Sequence, residues 1–163
     1  MNSDLILQIV IFCGVISVIY GFVSSKQILS ASAGDNKMQE IANAIQIGAK
    51  AYLNRQYTTI AIVGVIGLIL ISFLFSIWVG LGYVIGATLS GAAGYVGMLI
   101  SVQANVRTAE ASRTSLDDGL RIAFKSGAVT GMLVAGLALL SISVYYFLLL
   151  KLNIDEREIV NAL

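Results

Sequence analysis

The sequence predicts an all-α, polytopic transmembrane helix bundle with four spans. Hydrophobic residues make up 58% of the chain, charged residues make up only 12%, and several uncharged runs are long enough to cross a bilayer. A soluble domain has about 25% charged residues, so this chain lacks the polar surface of a water-soluble enzyme. Every backbone polar group must be satisfied in lipid, and proline is absent, so the spans are predicted to be helices.

Composition also excludes several functions. The chain has no histidine, which removes the commonest general base and metal ligand. Its single cysteine, Cys13, allows neither an internal disulfide nor a cysteine zinc site. The net charge of +1 argues against a nucleic-acid partner.

The limits of the spans follow from charge and length, within a single membrane segment, 1–163. The uncharged run between Arg55 and Arg107 is too long for one crossing of a hydrocarbon core about 30 Å thick, so it must reverse once. The glycines in Val79–Gly82 predict the reversal there. The predicted spans are residues 5–23, 57–79, 82–104 and 126–150.

The basic residues predict the orientation. Lysine and arginine are concentrated in the connections 24–55 and 105–125, which predicts that both connections are cytoplasmic and both termini are non-cytoplasmic. Ala31–Ala33 resembles a signal-peptide cleavage site, which leaves a cleaved first segment as an alternative. The lack of a basic residue in Met1–Asp4 favours a membrane anchor.

Two helices are predicted to project beyond the membrane. Asp35 or Asn36 is a candidate N-cap before apolar residues at steps of three and four, which predicts a helical extension over about 37–56. Ser115–Asp118 resembles a capping box and predicts a second extension over about 116–125. Two such extensions would form a cytoplasmic wall.

Small residues predict where the helices touch. Rows of them let helix backbones approach closely in lipid. We therefore expect the third span to lie between protein neighbours and the second span to face more lipid. The predicted packing residues are Gly82, Gly86, Ser90, Gly94, Gly127 and Gly131.

No span contains an ionisable carboxylate, lysine or arginine, so the chain contains no obvious ion path.

Asp117 and Asp118 are able to hold a magnesium ion in principle, but acids in the first turn of a helix also complement its dipole, which is the favoured interpretation. The basic residues of 105–125 are either an attractor for an anionic substrate or positive-inside determinants, and we favour the second. The candidates for residues near a functional pathway are Tyr52, Arg55, Asn105, Arg107 and Arg113.

Three blocks of sequence resemble one family. The first runs from Lys37-Met38-Gln39-Glu40 to Arg55-Gln56-Tyr57, the second from Gly94 to Ala109, and the third from Leu120 to Val129. In order and spacing they are similar to the N-terminal region of the membrane-integral, ion-pumping inorganic pyrophosphatases.

The resemblance implies a fold of about sixteen spans in a homodimer. Such pumps hydrolyse pyrophosphate at a cytoplasmic face with magnesium, some also require potassium, and they move protons or sodium outward. Their catalytic residues lie on an inner ring of helices, and the first four spans belong to the outer ring. The aspartate-rich motifs of that site do not occur here. We therefore expect an N-terminal part of a pump that supplies scaffold, holds no catalytic, cofactor or metal residue, and is inactive alone.

Two other classes fit the composition. A non-enzymatic accessory subunit would complete a transport complex by helix packing. A rotary ATPase proteolipid is less favoured, because it needs a mid-membrane carboxylate and the spans contain none.

Overall fold

The computed structural model describes residues 3–163 and contains only helices over that range. Met1 and Asn2, where the alternative signal peptide would begin, lie outside the described residues. The helices are α1 (Ser3–Leu29), α2 (Asn36–Leu74), α3 (Ile77–Ser112), α4 (Leu116–Lys151) and α5 (Glu156–Ala162). Four of them are long and apolar enough to cross a membrane, which confirms the predicted all-α polytopic class. The limits of the spans within these helices stay a prediction.

The four long helices form an open layer in the order α1–α4–α3–α2. The largest interfaces are α3–α4 and α1–α4, α2 packs against α3 alone, and α1 touches α3 only slightly. With 39 residues, α2 is about 58 Å long, and α3 and α4, with 36 residues each, are about 54 Å long. Each exceeds the roughly 30 Å hydrocarbon core by several turns.

Glycines bring the backbones of α1 and α4 into direct contact. A Cβ on Gly14 would lie 3.1 Å from the carbonyl oxygen of Gly136, and a Cβ on Gly136 would lie 3.0 Å from that of Gly14. Two turns further along α1, a Cβ on Gly21 would lie 2.8 Å from the Leu133 side chain. Ser25 donates a 2.6 Å hydrogen bond to the Gly21 carbonyl and so keeps its hydroxyl satisfied within the seam.

The α2–α3 contact pairs tyrosines with glycines in both directions. The Tyr57 ring of α2 lies against Gly91 and Gly94 of α3, and Tyr83 of α3 lies against Gly64 and Gly67 of α2. Each tyrosine thus occupies the space that a side chain on the opposite helix would fill.

A third tyrosine reinforces this contact near its middle. Tyr95 donates a 2.9 Å hydrogen bond to the side-chain oxygen of Asn54, and its ring meets Tyr57 edge-on at 5.3 Å between centroids. An edge-to-face aromatic pair of this kind adds about 0.5–1.5 kcal/mol beyond the area it buries.

The reversal between α2 and α3 lies at Phe75–Ser76, so its prediction at Val79–Gly82 was wrong. Ser76 is the N-cap of α3 and accepts a 3.4 Å hydrogen bond from the Val79 amide. The glycines of the predicted turn serve close approach instead. A Cβ on Gly80 would collide with the Ser72 side chain, and a Cβ on Gly82 would collide with the Ala162 carbonyl.

The other predicted caps are present. Asp35 accepts a 2.9 Å hydrogen bond from the Met38 amide at the start of α2. Ser115 accepts a 3.1 Å bond from the Asp118 amide at the start of α4. These caps satisfy amide groups that the first turn of each helix leaves without a partner.

Two hydrophobic clusters hold the ends of the layer. Near the α1–α2 and α3–α4 connections, the buried residues are Ile28, Ile100, Ala104 and Val129. At the opposite end, α5 places Ile159 and Ala162 against Tyr145 and Leu149 of α4. Tyr145 also donates a 2.5 Å hydrogen bond to the Trp78 carbonyl, which ties α4 to the start of α3.

We expect Gly136→Ala to destabilise the chain by about 1–3 kcal/mol, the usual cost of overpacking. The added methyl group would approach the Ser17 Cβ to 2.8 Å, so the α1–α4 seam must widen. The free energy of unfolding in mixed micelles measures the effect.

Gly131→Ala is the matched control, because its Cβ meets nothing within 4 Å. It should leave stability unchanged or raise it slightly through helix propensity. Equal losses in the two variants would contradict the assignment of the seam.

Candidate functional site

Three of the predicted pathway residues, Asn105, Arg107 and Arg113, lie toward one end of the layer, which we call the basic end. It contains the α1–α2 connection, the α3–α4 connection and the adjoining helix termini. Arg107 lies five residues before the end of α3, Asn105 lies two residues before Arg107, and Arg113 directly follows the helix. Tyr52 and Arg55 lie on α2, about midway along the helix.

Arg107 binds the end of α1. Its guanidinium donates to the Leu29 carbonyl at 3.0 Å and to the Gln103 carbonyl at 2.7 Å. Leu29 is the last residue of α1, where helix carbonyls lack intrahelical partners and carry partial negative charge. The Nε atom of Arg107 is buried and has no hydrogen-bond partner. Arg107 is therefore a C-terminal clamp that joins α1 directly to α3.

Arg113 connects the two loops of the basic end. It forms ion pairs with Asp35 at 3.4 Å and with Glu110 at 3.1 Å, and its side chain is 61% exposed. Gly34 has a φ of +79°, which only glycine adopts freely, and a Cβ there would lie 3.0 Å from the Glu110 carboxylate. The loop before α2 therefore closes tightly on the end of α3.

The acidic residues Asp117 and Asp118 lie in the first turn of α4. Asp118 accepts a 2.8 Å hydrogen bond from the Ser115 hydroxyl and pairs with Arg121 at 2.9 Å. Its carboxylate is thus occupied by the cap and by an arginine. Within residues 5–163, no three carboxylate, cysteine or histidine side chains are grouped closely enough to hold a metal ion.

The structure does not bring Tyr52 and Arg55 into the Arg107 or Arg113 contacts. The Tyr52 side chain is 63% exposed, and Arg55 is also exposed. Asn105 lies instead beside an apolar groove of about 250 Å³ between α2 and α3. The groove is lined by Met38, Ile41, Ala42, Ile45, Val102, Asn105, Val106 and Ala109.

The predicted small residues divide into two groups. Gly82 and Gly94 are in close contact, with the Ala162 carbonyl and the Tyr57 hydroxyl respectively. A Cβ on Gly86, Gly127 or Gly131 would meet nothing within 4 Å. Gly82, Gly86 and Ser90 line one side of a groove of about 270 Å³ between α3 and α4.

Sequence reasoning missed the glycines of the α1–α4 seam. Gly14 and Gly21 are seven residues apart and so share one helix face, a spacing that was available as a signal. Gly97 also packs closely, because a Cβ there would lie 2.9 Å from the Thr130 methyl group of α4. Gly97 belongs to the predicted small-residue helix but lies outside the row at steps of four.

These features define a polytopic integral membrane protein whose ordered polar contacts hold helices together. The residue types needed to carry an ion through the apolar part of the layer are absent from the predicted spans. The polar groups at the basic end bind one another and the backbone.

Comparison with known proteins identifies the family. The model of the inorganic H+ pyrophosphatase family matches residues 15–163, and the chain belongs to this family. A K(+)-insensitive pyrophosphate-energized proton pump of Methanosarcina mazei is 50% identical over 137 residues, which cover 83% of this chain and 20% of that protein.

The ion given in the name differs among the relatives. A putative K(+)-stimulated pyrophosphate-energized sodium pump of Bacteroides thetaiotaomicron is 37% identical over 154 residues, 90% of this chain and 21% of the relative. A K(+)-insensitive pyrophosphate-energized proton pump 2 of Moorella thermoacetica is 37% identical over 135 residues, 82% of this chain and 20% of the relative. The chain thus spans about one fifth of the length of the relatives it matches.

We expect Arg107→Met to cost about 1–3 kcal/mol of unfolding free energy, because it leaves the part-buried Leu29 carbonyl at the end of α1 without its donor. Arg113→Gln should cost about 1 kcal/mol or less, since its ion pairs are exposed to solvent. Unfolding in mixed micelles measures both. A larger loss for Arg113→Gln than for Arg107→Met would contradict the clamp.

Proposed function

We propose that this chain forms an outer, four-span part of a membrane pyrophosphatase that couples pyrophosphate hydrolysis to outward pumping of protons or sodium. The observation that supports the proposal most directly is the 50% identity to a pyrophosphate-energized proton pump over 137 residues. The chain supplies scaffold, and the spans that bind pyrophosphate, magnesium and, in some members, potassium are supplied by the rest of the pump.

The donor set of the chain supports a scaffold role. A pyrophosphatase must gather several carboxylates around metal ions to neutralise a highly charged substrate. In the described part of the chain, Asp118, Asp35 and Glu110 each pair with an arginine, and no metal-binding group forms. No hydrolytic step is therefore assigned to these residues.

The shape of the layer supports the same role. A single row of helices leaves both of its faces available for lipid and for other spans. The open small residues Gly86, Gly127 and Gly131 suit close helix contact, because a glycine lets another backbone approach. In this proposal the partners are lipid, the remaining spans of the pump and a second copy of that pump.

The orientation is part of the proposal. The basic end faces the cytoplasm, following the positive-inside rule, and α5 lies on the non-cytoplasmic side. The long α2, α3 and α4 helices then extend from the membrane as part of a wall around the cytoplasmic site. Tyr52, Arg55, Asn105, Arg107 and Arg113 would lie nearest to it.

A segment exchange tests the function. In the Methanosarcina mazei pump, the matched segment is replaced by the corresponding residues of this chain. We expect the exchanged pump to retain magnesium-dependent pyrophosphate hydrolysis and pyrophosphate-driven acidification of vesicles above the background of empty membranes. The isolated 163-residue chain should show neither activity in the same assays.

The exchanged pump carrying Gly136→Leu is the matched control for packing. It should insert at the same level and lose activity, because the α1–α4 seam has no room for a larger side chain. An exchanged pump that inserts normally but hydrolyses no pyrophosphate would contradict the proposed function. Hydrolysis by the isolated chain would contradict the scaffold role.

Cysteine labelling tests the orientation. Cys13→Ser removes the single native thiol, and Thr114→Cys or Leu152→Cys then adds one at an exposed position at either end of α4. A membrane-impermeant maleimide should label Leu152→Cys in intact cells and Thr114→Cys only after permeabilisation. The reverse pattern would overturn the orientation and leave the segment exchange unaffected.

A further inference from the structure

The α1 edge of the layer, where α1 packs against α4, carries two lysines at the basic end. Lys26 lies exposed in the last turn of α1. Lys125 of α4 donates a hydrogen bond to the side chain of Gln27. Because Gln27 follows Lys26 directly, and one residue advances a helix by about 1.5 Å, the two lysines lie at nearly the same depth along the layer.

Neither lysine is neutralised within the described part of the chain. The ion pairs found there involve Arg113 and Arg121 with their carboxylates. Asp118, the acid on the same stretch of α4, pairs with Arg121 and also accepts from Ser115. The edge therefore carries an excess of positive charge.

The predicted spans place this charge in the headgroup region. Lys26 lies three residues beyond the predicted limit at Val23, and Lys125 lies one residue before the predicted limit at Ser126. The Lys26 ammonium lies 4.8 Å from the centroid of the Phe22 ring, which is itself 62% exposed. An amine above an exposed apolar ring matches the boundary between phosphate groups and hydrocarbon.

We propose that this edge, defined by Lys26, Gln27 and Lys125, is a docking surface for anionic phospholipid. The lipid phosphate accepts hydrogen bonds from the lysine ammonium groups, and its acyl chains cover the exposed side chains of Phe22 and Val23. Basic sites between or beside helices near the membrane surface bind such headgroups in other proteins. The exposed apolar side chains below the lysines favour a lipid over a free phosphate ion. The inference is independent of the proposed pump function.

Native mass spectrometry of the purified 163-residue chain tests the proposal. The chain is titrated with equal amounts of phosphatidylglycerol and phosphatidylcholine that have the same acyl chains. We expect retained phosphatidylglycerol to exceed phosphatidylcholine. Lys26→Gln with Lys125→Gln should lower phosphatidylglycerol binding about thirtyfold, given the attraction of each basic residue near an anionic surface.

Two further variants separate the surface from net charge and from folding. Lys26→Arg with Lys125→Arg should keep the preference. Lys37→Gln with Lys50→Gln removes the same charge from α2, which contacts neither α1 nor α4 in the described residues, so the preference should also persist. Circular dichroism checks that each variant remains helical.

Three results would overturn the proposal. The first is equal retention of the two lipids by the unmodified chain. The second is an equal loss of preference in both glutamine variants, since this would show that only total charge matters. The third is displacement of phosphatidylglycerol by millimolar inorganic phosphate, which would indicate a site for a soluble anion.

Discussion

The structure depends on close contact between helix backbones at glycine. In lipid, apolar side chains gain little by moving from acyl chains to a neighbouring helix, so packing and interhelical hydrogen bonds hold spans together. The α1–α4 seam meets this constraint through Gly14 and Gly136, which approach each other's carbonyl oxygens. The α2–α3 contact meets it differently, because large tyrosine rings lie against glycines on the facing helix. Both solutions require the absence of a Cβ at particular positions.

The same constraint explains the order of the helices. α4 contacts α1 across one seam and α3 across the other, and α3 contacts α2 through the tyrosine–glycine pairs. The result is an open layer in place of a closed four-helix bundle, because α2 touches neither α1 nor α4 in the described residues. An open layer is suited to extension by further spans, which agrees with a scaffold role in a larger pump.

The fold class was predictable because it follows from composition, whereas the contacts were not. Uncharged runs gave four spans, and the caps at Asp35 and Ser115 lie where local sequence indicated. Gly80 and Gly82 predict a turn because glycine favours turns, but glycine also permits close packing. Only the positions of Ser72 and Ala162 decide between the two uses. Gly86 of α3 and Gly127 and Gly131 of α4 are small residues of the kind found at helix interfaces, but a Cβ on any of them would meet nothing within 4 Å among the described residues.

The basic end illustrates why charge alone did not identify a site. Arg107 and Arg113 are close in sequence and chemically identical, but one satisfies helix carbonyls and the other joins surface carboxylates. Their difference lies in burial and partners, which depend on where α1 ends relative to α3. The Arg107 guanidinium meets the negative end of the α1 dipole, so it stabilises the layer where α1 and α3 otherwise touch little. A half-buried cation whose hydrogen bonds go to helix carbonyls has a structural role.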